Sequence, residues 1–389
     1  MIKGVYIFLI IICCCIAAWT ACKKNYSPKL AGGNVQYLVV EGIINTGVDS
    51  TIINLSRTVK VQSKADSIAE LNAIVNVEGS DNSSYPIMEL GGGRYGAPAL
   101  GLDNTKRYRI HIKTVDGKEY ASDFTPVKPT PPIDSIGFTV LANGIQVYVN
   151  THDPKNSTRY YRWSYDETWA FHSDYNSEFI SNGTGIVPRT ADQYVYSCYT
   201  HDASTSIVLS SSAKLKEDVI YQAPLIFIPS TSEKIETRYS ILLKQYAMTS
   251  EEYSYWQNLK KNTELIGSIF DAQPSELQGN IHCVTDPSIP VIGYVSSTTV
   301  QQKRVFIARD QLPEKWATTY PYACQLDTFL FCRGVACINE VAGNLVPIPP
   351  AQIPTWQVFV GGLPAGYMGS TSDCVDCTLR GTKQVPAFW

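Results

Sequence analysis

From residue 37 onward the chain alternates apolar and polar residues with a period of two. The stretches 37–44 (YLVVEGII), 50–58 (STIINLSRT) and 72–80 (NAIVNVEGS) follow this pattern. In 106–114 (KRYRIHIKT), Tyr108, Ile110 and Ile112 share one face, and Arg107, Arg109, His111 and Lys113 share the other. Successive strand side chains point to opposite faces, so the pattern predicts half-buried strands. Asp116-Gly117 predicts a hairpin turn into KEYASDF. Short strands separated by turns make 35–125 a β-sandwich domain of immunoglobulin-like or related type. His111 falls on the polar face and reads as a solvated strand residue, not a ligand.

A proline-rich stretch, 126–132, predicts a stiff extended linker that spaces this domain from the next. Strand patterns resume with a hairpin around Asn143-Gly144 and define a second β domain over 133–310. Within it, 159–171 (RYYRWSYDETWAF) places Tyr161, Trp163, Tyr165, Glu167 and Trp169 on one strand face. Two readings compete. The stripe is the core of the sandwich with Trp163 at its centre, or it is an aromatic platform on which flat ligands such as sugars stack. Tyr161, Trp163, Trp169 and His172 are the candidate ligand contacts under the second reading. His172 opens a polar, glycine-containing stretch to Thr190 that predicts a long surface loop suited to recognition.

The one helical pattern is an insertion in this second domain. Thr249-Ser-Glu-Glu252 is a capping box that starts a helix over 249–263, with Tyr253, Trp256, Leu259 and Lys260 at helical spacing. Strand patterns return at 279–308. Residues 311–389 are rich in proline and cysteine and predict an irregular segment wrapped over the second domain, without a third core.

The residues before 37 break the alternation. Lys3 precedes a continuous apolar run, Val5 to Ala18, which ends in Trp19-Thr20-Ala21-Cys22. That is a secretory signal of the lipoprotein type, 1–21, after which Cys22 becomes the lipidated N-terminus. The run is short for a membrane-spanning helix, which needs about 20 apolar residues. Polar residues 22–34 then read as a flexible tether.

Composition sharpens this picture. The chain has 389 residues, a net charge of −3, 17% charged residues and 24 tyrosines against 4 methionines. Such a balance leaves no basic footprint for nucleic acid and favours strands. Cys13, Cys14 and Cys15 belong to the leader. Cys198, Cys283, Cys324, Cys332, Cys337, Cys374 and Cys377 remain as candidate disulfide cysteines of an oxidising compartment, and their odd number leaves at least one free or shared. Cys374-Val-Asp-Cys377 admits three readings: a redox dithiol, a zinc knuckle with Cys332 and Cys337 or His282, or structural disulfides. No His-Glu-x-x-His, Gly-x-Ser-x-Gly or phosphate-binding glycine loop is present. The sequence therefore signals no catalytic residue, metal or cofactor.

Several landmarks together resemble the DUF4249 lipoproteins of Bacteroidota. They are the cysteine at 22, LVVEGIINTG with LSRT, RYYRWSYDETW, GNIHC with VIGY and KRVFIA, and the ending CVDCTLRGTKQVPAFW. The resemblance implies a cell-envelope lipoprotein of the outer membrane, found alongside TonB-dependent receptors, and carries no established activity. Lys23-Lys24-Asn25 follow the cysteine where surface-exported relatives often carry acidic residues, so the periplasmic and cell-surface faces both stay open. Three functions are retained: a non-catalytic binding partner of a receptor barrel, a structural or adhesive surface module, and an envelope hydrolase using carboxylates such as Asp166 and Glu167.

Overall fold

Besides the two-residue strand Ile68–Ala69, eight strands open the described part of the chain: β1 (Leu38–Asn45), β2 (Thr51–Arg57), β3 (Ile74–Gly79), β4 (Ser84–Gly91), β5 (Arg94–Ala97), β6 (Arg107–Lys113), β7 (Glu119–Ser122) and β8 (Thr125–Lys128). The computed structural model describes residues 36–59, 67–264, 279–320 and 322–389. The leader, Cys22 and the tether lie outside these residues. Alternation does what the sequence predicts: Ile53 and Leu55 of β2, Val75 and Val77 of β3, and Tyr108, Ile110 and Ile112 of β6 are all buried in one core. Each such aliphatic side chain contributes roughly 1.5–3 kcal/mol by leaving water.

The chain then builds β9 (Ile133–Leu141), β10 (Gly144–His152), β11 (Tyr160–His172), β12 (Ser197–Ala203), β13 (Val208–Ser211), β14 (Val219–Pro229), β15 (Arg238–Ala247) and helix α1 (Ser250–Glu264). It comes back to the first body with β16 (Ile281–Cys283), β17 (Val291–Gly293) and β18 (Ser296–Thr298) before β19 (Val300–Ala308) returns to the second. β17 and β18 pair parallel with β1, and β18 pairs parallel with β8. β8 also pairs with β6, so the sheet closes in the order β6-β3-β4-β5-β2-β1-β18-β8-β6. The first body is thus an eight-stranded closed, barrel-like sheet and not the expected open sandwich. The strands predicted at 279–298 as part of the second domain are the staves that close the first. Periodicity registers that a segment is a strand, but not which sheet receives it.

β17, which flanks the ring on β1, sits there through a close backbone approach. Gly293 has φ +143°, and a Cβ there would lie 2.2 Å from the Val40 carbonyl oxygen of β1. Only glycine tolerates that conformation and that distance. Gly293→Ala is expected to destabilise the protein by roughly 2–3 kcal/mol, read as a lower urea midpoint. An unchanged midpoint would show that the seating of β17 on β1 is dispensable.

In the second body, β9-β10-β14 form one sheet, and β12 and β13, side by side on β11, continue through β15 to β19 in another. The two sheets share one core: Ile145, Val147 and Val149 from the first face Trp163, Ile241 and Leu243 from the second. The predicted linker is not a spacer. Val127 and Lys128 are ladder residues of the closed sheet, paired with Ser297 and Thr298. Buried Thr130 donates to the Thr299 carbonyl (2.5 Å) and accepts from the Ala247 N–H (2.9 Å). Gln245 Nε2 donates to the Pro131 carbonyl (2.8 Å). Proline fixes the path of this strand exit, and the threonine and glutamine hydrogen bonds lock it to both bodies.

The C-terminal segment departs from expectation as well. It forms a three-stranded sheet from β20 (Asp327–Leu330), β21 (Ile353–Val360) and β22 (Leu363–Ser370), with the short helix α2 (Glu340–Asn344) between the first two. Val341, Leu345 and Tyr367 make a small third core, against which Phe179 and Ile186 pack from a short antiparallel hairpin, Phe179–Ser181 with Ile186–Pro188, which interrupts the surface loop expected after His172. A few large apolar residues at wide spacing make such a core hard to detect by periodicity.

Candidate functional site

The aromatic stripe on β11 is core. Tyr161, Trp163 and Trp169 are buried between the two sheets, so the platform reading fails and the core reading holds. Trp163 donates its indole N–H to Gln245 (2.8 Å), and Tyr161 donates to Asp218. The same face carries Glu167, buried but satisfied: Lys234 Nζ lies 2.7 Å and the Tyr239 hydroxyl 2.6 Å from its carboxylate. Burial beside that carboxylate pushes the Tyr239 pKa well up, so the phenol stays protonated and donating. Asp166 points to the opposite face and pairs with Lys244 at 2.6 Å. The two carboxylates named for a hydrolase therefore do not converge.

His172 is set apart from the other three candidates. It ends β11 at the rim, where its ring stacks on Tyr196 (4.7 Å between centroids). Its Nδ1 lies 2.8 Å from the Ser173 carbonyl, and Nε2 is 3.5 Å from Glu236. The Tyr320 hydroxyl donates to Glu236 at 2.5 Å, and burial with that carboxylate raises its pKa. His172 and Glu236 border a polar cavity of about 230 Å³. Arg309 reaches it too, but donates to the carbonyls of Pro313, Glu314 and Trp316. The cavity lies below the roughly 300 Å³ of an ordinary small-molecule site. Its groups already hydrogen-bond one another, so they act as a clasp between the second body and the segment around Tyr320.

The cysteines reinforce that clasp. Cys198 on β12 bonds Cys377, Cys324 bonds Cys374, and Cys332 bonds Cys337. The two sulfurs of Cys374-Val-Asp-Cys377 thus belong to separate bridges, the structural reading of that motif. Among the described residues Cys283, on β16, is the free one, buried in the core of the first body. Near the bridge to Cys198, the Arg380 guanidinium lies over Phe171 (4.7 Å) and Tyr322 (5.2 Å) and pairs with Glu233. Glu233 also accepts from the Trp169 indole at 3.3 Å. Residues after 370 are therefore tied to the second body by a covalent bond and by charge.

A concave feature of ligand size is a groove of about 690 Å³ between β13 and β14. Tyr221 and Phe227 are exposed along it, and Lys260 of α1 lies at one side. Lys260 donates to the Ile207 carbonyl (2.6 Å), which ties the helix to the groove wall. Pro224 and two register irregularities interrupt β14 here. They blunt the strand against edge-to-edge pairing and leave side chains to do the recognising. Sequence reading passed over this groove, because its walls come from separate strands whose spacing is set only by folding.

One further site escaped the sequence. Glu252, read there as a capping-box carboxylate, instead turns inward at the junction of α1, β11 and β18. Thr249 still caps the Glu252 N–H (3.2 Å), but the carboxylate accepts from Ser296 (2.9 Å) on the closed sheet. Arg162 faces it from β11, with its guanidinium held 4.4 Å from the rings of both Tyr246 and Trp256. Glu252 Oε2, Arg162 Nε and Trp256 Nε1 are buried without a hydrogen-bond partner. Desolvation pushes the Glu252 pKa up to about 7, against the opposing pull of Arg162.

No curated protein matches the chain. Among solved structures, the chitinase ChiA74 from Bacillus thuringiensis aligns over 46% of this chain and 30% of its own, at 13% identity and a TM-score of 0.16. An overlap that loose carries no argument about fold or activity. The family comparison is of a different kind: its match covers the closed sheet and the second body almost to the end of β19, leaving the third sheet and the CVDCTLRGTKQVPAFW ending outside. Residues 23–304 match the model described as Domain of unknown function (DUF4249), and the chain belongs to that family.

Proposed function

We propose that this chain is an exported, lipid-anchored protein of the outer membrane that works by binding, as an accessory of a TonB-dependent receptor. The observation that carries the reading is the leader ending at Cys22, joined to a body whose six paired cysteines suit an oxidising envelope. Family membership supports it through the receptor setting that resemblance to Bacteroidota lipoproteins implies. The strand order of the second body, three strands facing four positions of the other sheet, supports a fibronectin type III-like or immunoglobulin-like binding module. The groove between β13 and β14, with exposed Tyr221 and Phe227, offers aromatic anchors of the kind that dominate protein interfaces.

Labelled palmitate is expected to enter the wild-type chain and not Cys22→Ala. Pull-down from detergent-solubilised envelopes is expected to recover a TonB-dependent barrel, with recovery lowered at least tenfold by Tyr221→Asp combined with Phe227→Asp, about 1.4 kcal/mol of binding or more. Repeated recovery of the lipoprotein alone would overturn the receptor reading while leaving the anchor to the palmitate result.

A further inference from the structure

Two short loops meet at one end of the third sheet. The first joins β21 to β22: Val360 pairs with Leu363 across Gly361-Gly362, whose φ values of +59° and +80° make a tight primed hairpin turn. The second follows β20. Phe331 N–H donates to the Ala365 carbonyl (2.9 Å), which keeps the chain beside β22, and residues 332–337 are then closed by the Cys332–Cys337 bridge. Arg333 and Ile338 exchange backbone hydrogen bonds at its base. Because β20 runs antiparallel to β22, its C-terminal end lies beside the β21–β22 turn, and both loops project from the same end.

The side chains they carry are apolar and in water. Val335 is fully exposed, Leu363 is 73% exposed, Val360 66%, Ile338 63% and Phe359 57%. The stretch 356–366 (WQVFVGGLPAG) has no charged residue, and Arg333 in the other loop is paired with Glu340 at 2.6 Å. Isolated exposed apolar residues are ordinary, but five on two adjacent loop tips mark a contact surface. The surface is held by a disulfide and a tight turn. Trp356, half-exposed, sits three residues back from Phe359 on β21, about 10 Å along the strand. Apolar tip first and tryptophan behind it is the depth order of a bilayer boundary, where aromatic rings lie at headgroup level.

We propose that this double-loop tip is a second membrane contact, which inserts into the lipid surface to which Cys22 tethers the chain. The proposal rests on the anchor reading for its proximity to membrane. The stretch from Cys22 to Tyr37 spans at most about 50 Å when extended, so the body never leaves the neighbourhood of the bilayer. Tethering raises the effective concentration of lipid at the tip, and a contact too weak to bind alone becomes occupied.

The test places a nitroxide on Val360→Cys and, as a control, on exposed Thr105→Cys, in the full lipidated chain. The chain is bound to phosphatidylethanolamine–phosphatidylglycerol vesicles, and the N-terminal peptide is weighed for its lipid. Oxygen collision at position 360 is expected to rise several-fold over nickel-chelate collision when vesicles are present, with no such change at 105. Ile338→Asp with Leu363→Asp is expected to abolish the rise while leaving vesicle flotation and the melting curve unchanged. A label at 360 that stays water-accessible on a floating, lipidated chain overturns the tip and spares the anchor. If the peptide carries no lipid, the anchor fails. Oxygen preference persisting at 360 then still supports the tip, and its absence overturns it. Protection of 360 only after solubilised envelope protein is added, and not with vesicles, also overturns the lipid assignment in favour of a protein partner.

Discussion

Glu252→Gln is expected to remove most of the pH dependence of stability between pH 4.5 and 7. The sign follows from the direction of the shift. The folded protein holds this carboxyl at a pKa of about 7, against 4.5 as its ordinary value, so the folded state binds the extra proton throughout that window. Its contribution is fully present below pH 4.5, is lost as pH rises through about 7, and changes no further above that. Because Glu252 is wholly buried, the 2.5-unit shift corresponds to a loss on the order of 3 kcal/mol. Glutamine keeps an acceptor for Ser296 and carries no charge, so the variant should be the more stable protein at pH 8 and close to the parent at pH 4.5. Urea midpoints at the two pH values decide it. Equal slopes in parent and variant would mean that Arg162 holds the carboxylate ionised in the fold.

Cutting the Cys198–Cys377 bridge, by alanine at both positions, is the second large effect. The bridge closes 179 residues of chain, and in the chain-entropy picture a loop of that length restrains the unfolded state by about 5 kcal/mol. Shorter links inside the loop reduce what is gained, so roughly 3–5 kcal/mol is expected. The loss should be regional. Arg380 over Phe171 and Tyr322, and the last residues packed on Tyr199 and Phe306, depend on the same anchor. Limited proteolysis should therefore release the end of the chain from the variant under conditions that leave the wild type whole. An intact C-terminus with an unchanged midpoint would show that the aromatic and charged contacts suffice.

Local pattern carried local facts well. The inward face of 106–114, a core reading for Trp163, the helix start at Thr249 and an odd cysteine among the seven are all legible as residues, because each depends on local spacing or a simple count. What was not legible depends on partners distant in sequence. Nothing in VIGYVSS marks it for a parallel seat beside β1, 250 residues earlier. A period of two says strand in either body. Glu252 satisfies the capping-box pattern so well that its other destination is hidden. Only the packing of α1 between two bodies turns that carboxylate away from its own backbone. The groove and the apolar double tip were missed for a related reason, since each is made of residues that are unremarkable alone and significant only side by side.

The closing staves of the first sheet lie after every strand of the second body except β19, and this sets an order of assembly. Folding during synthesis or export usually runs from the N-terminus, one domain at a time. Here residues 38–128 emerge first and cannot complete their ring until Ser296–Thr298 has followed. The second body, whose β9 to β15 are contiguous, has most of its strands available sooner. Until closure, β1 and β8 present bare edges to any strand nearby, so the earliest part of the chain is the part most in need of protection while the rest follows.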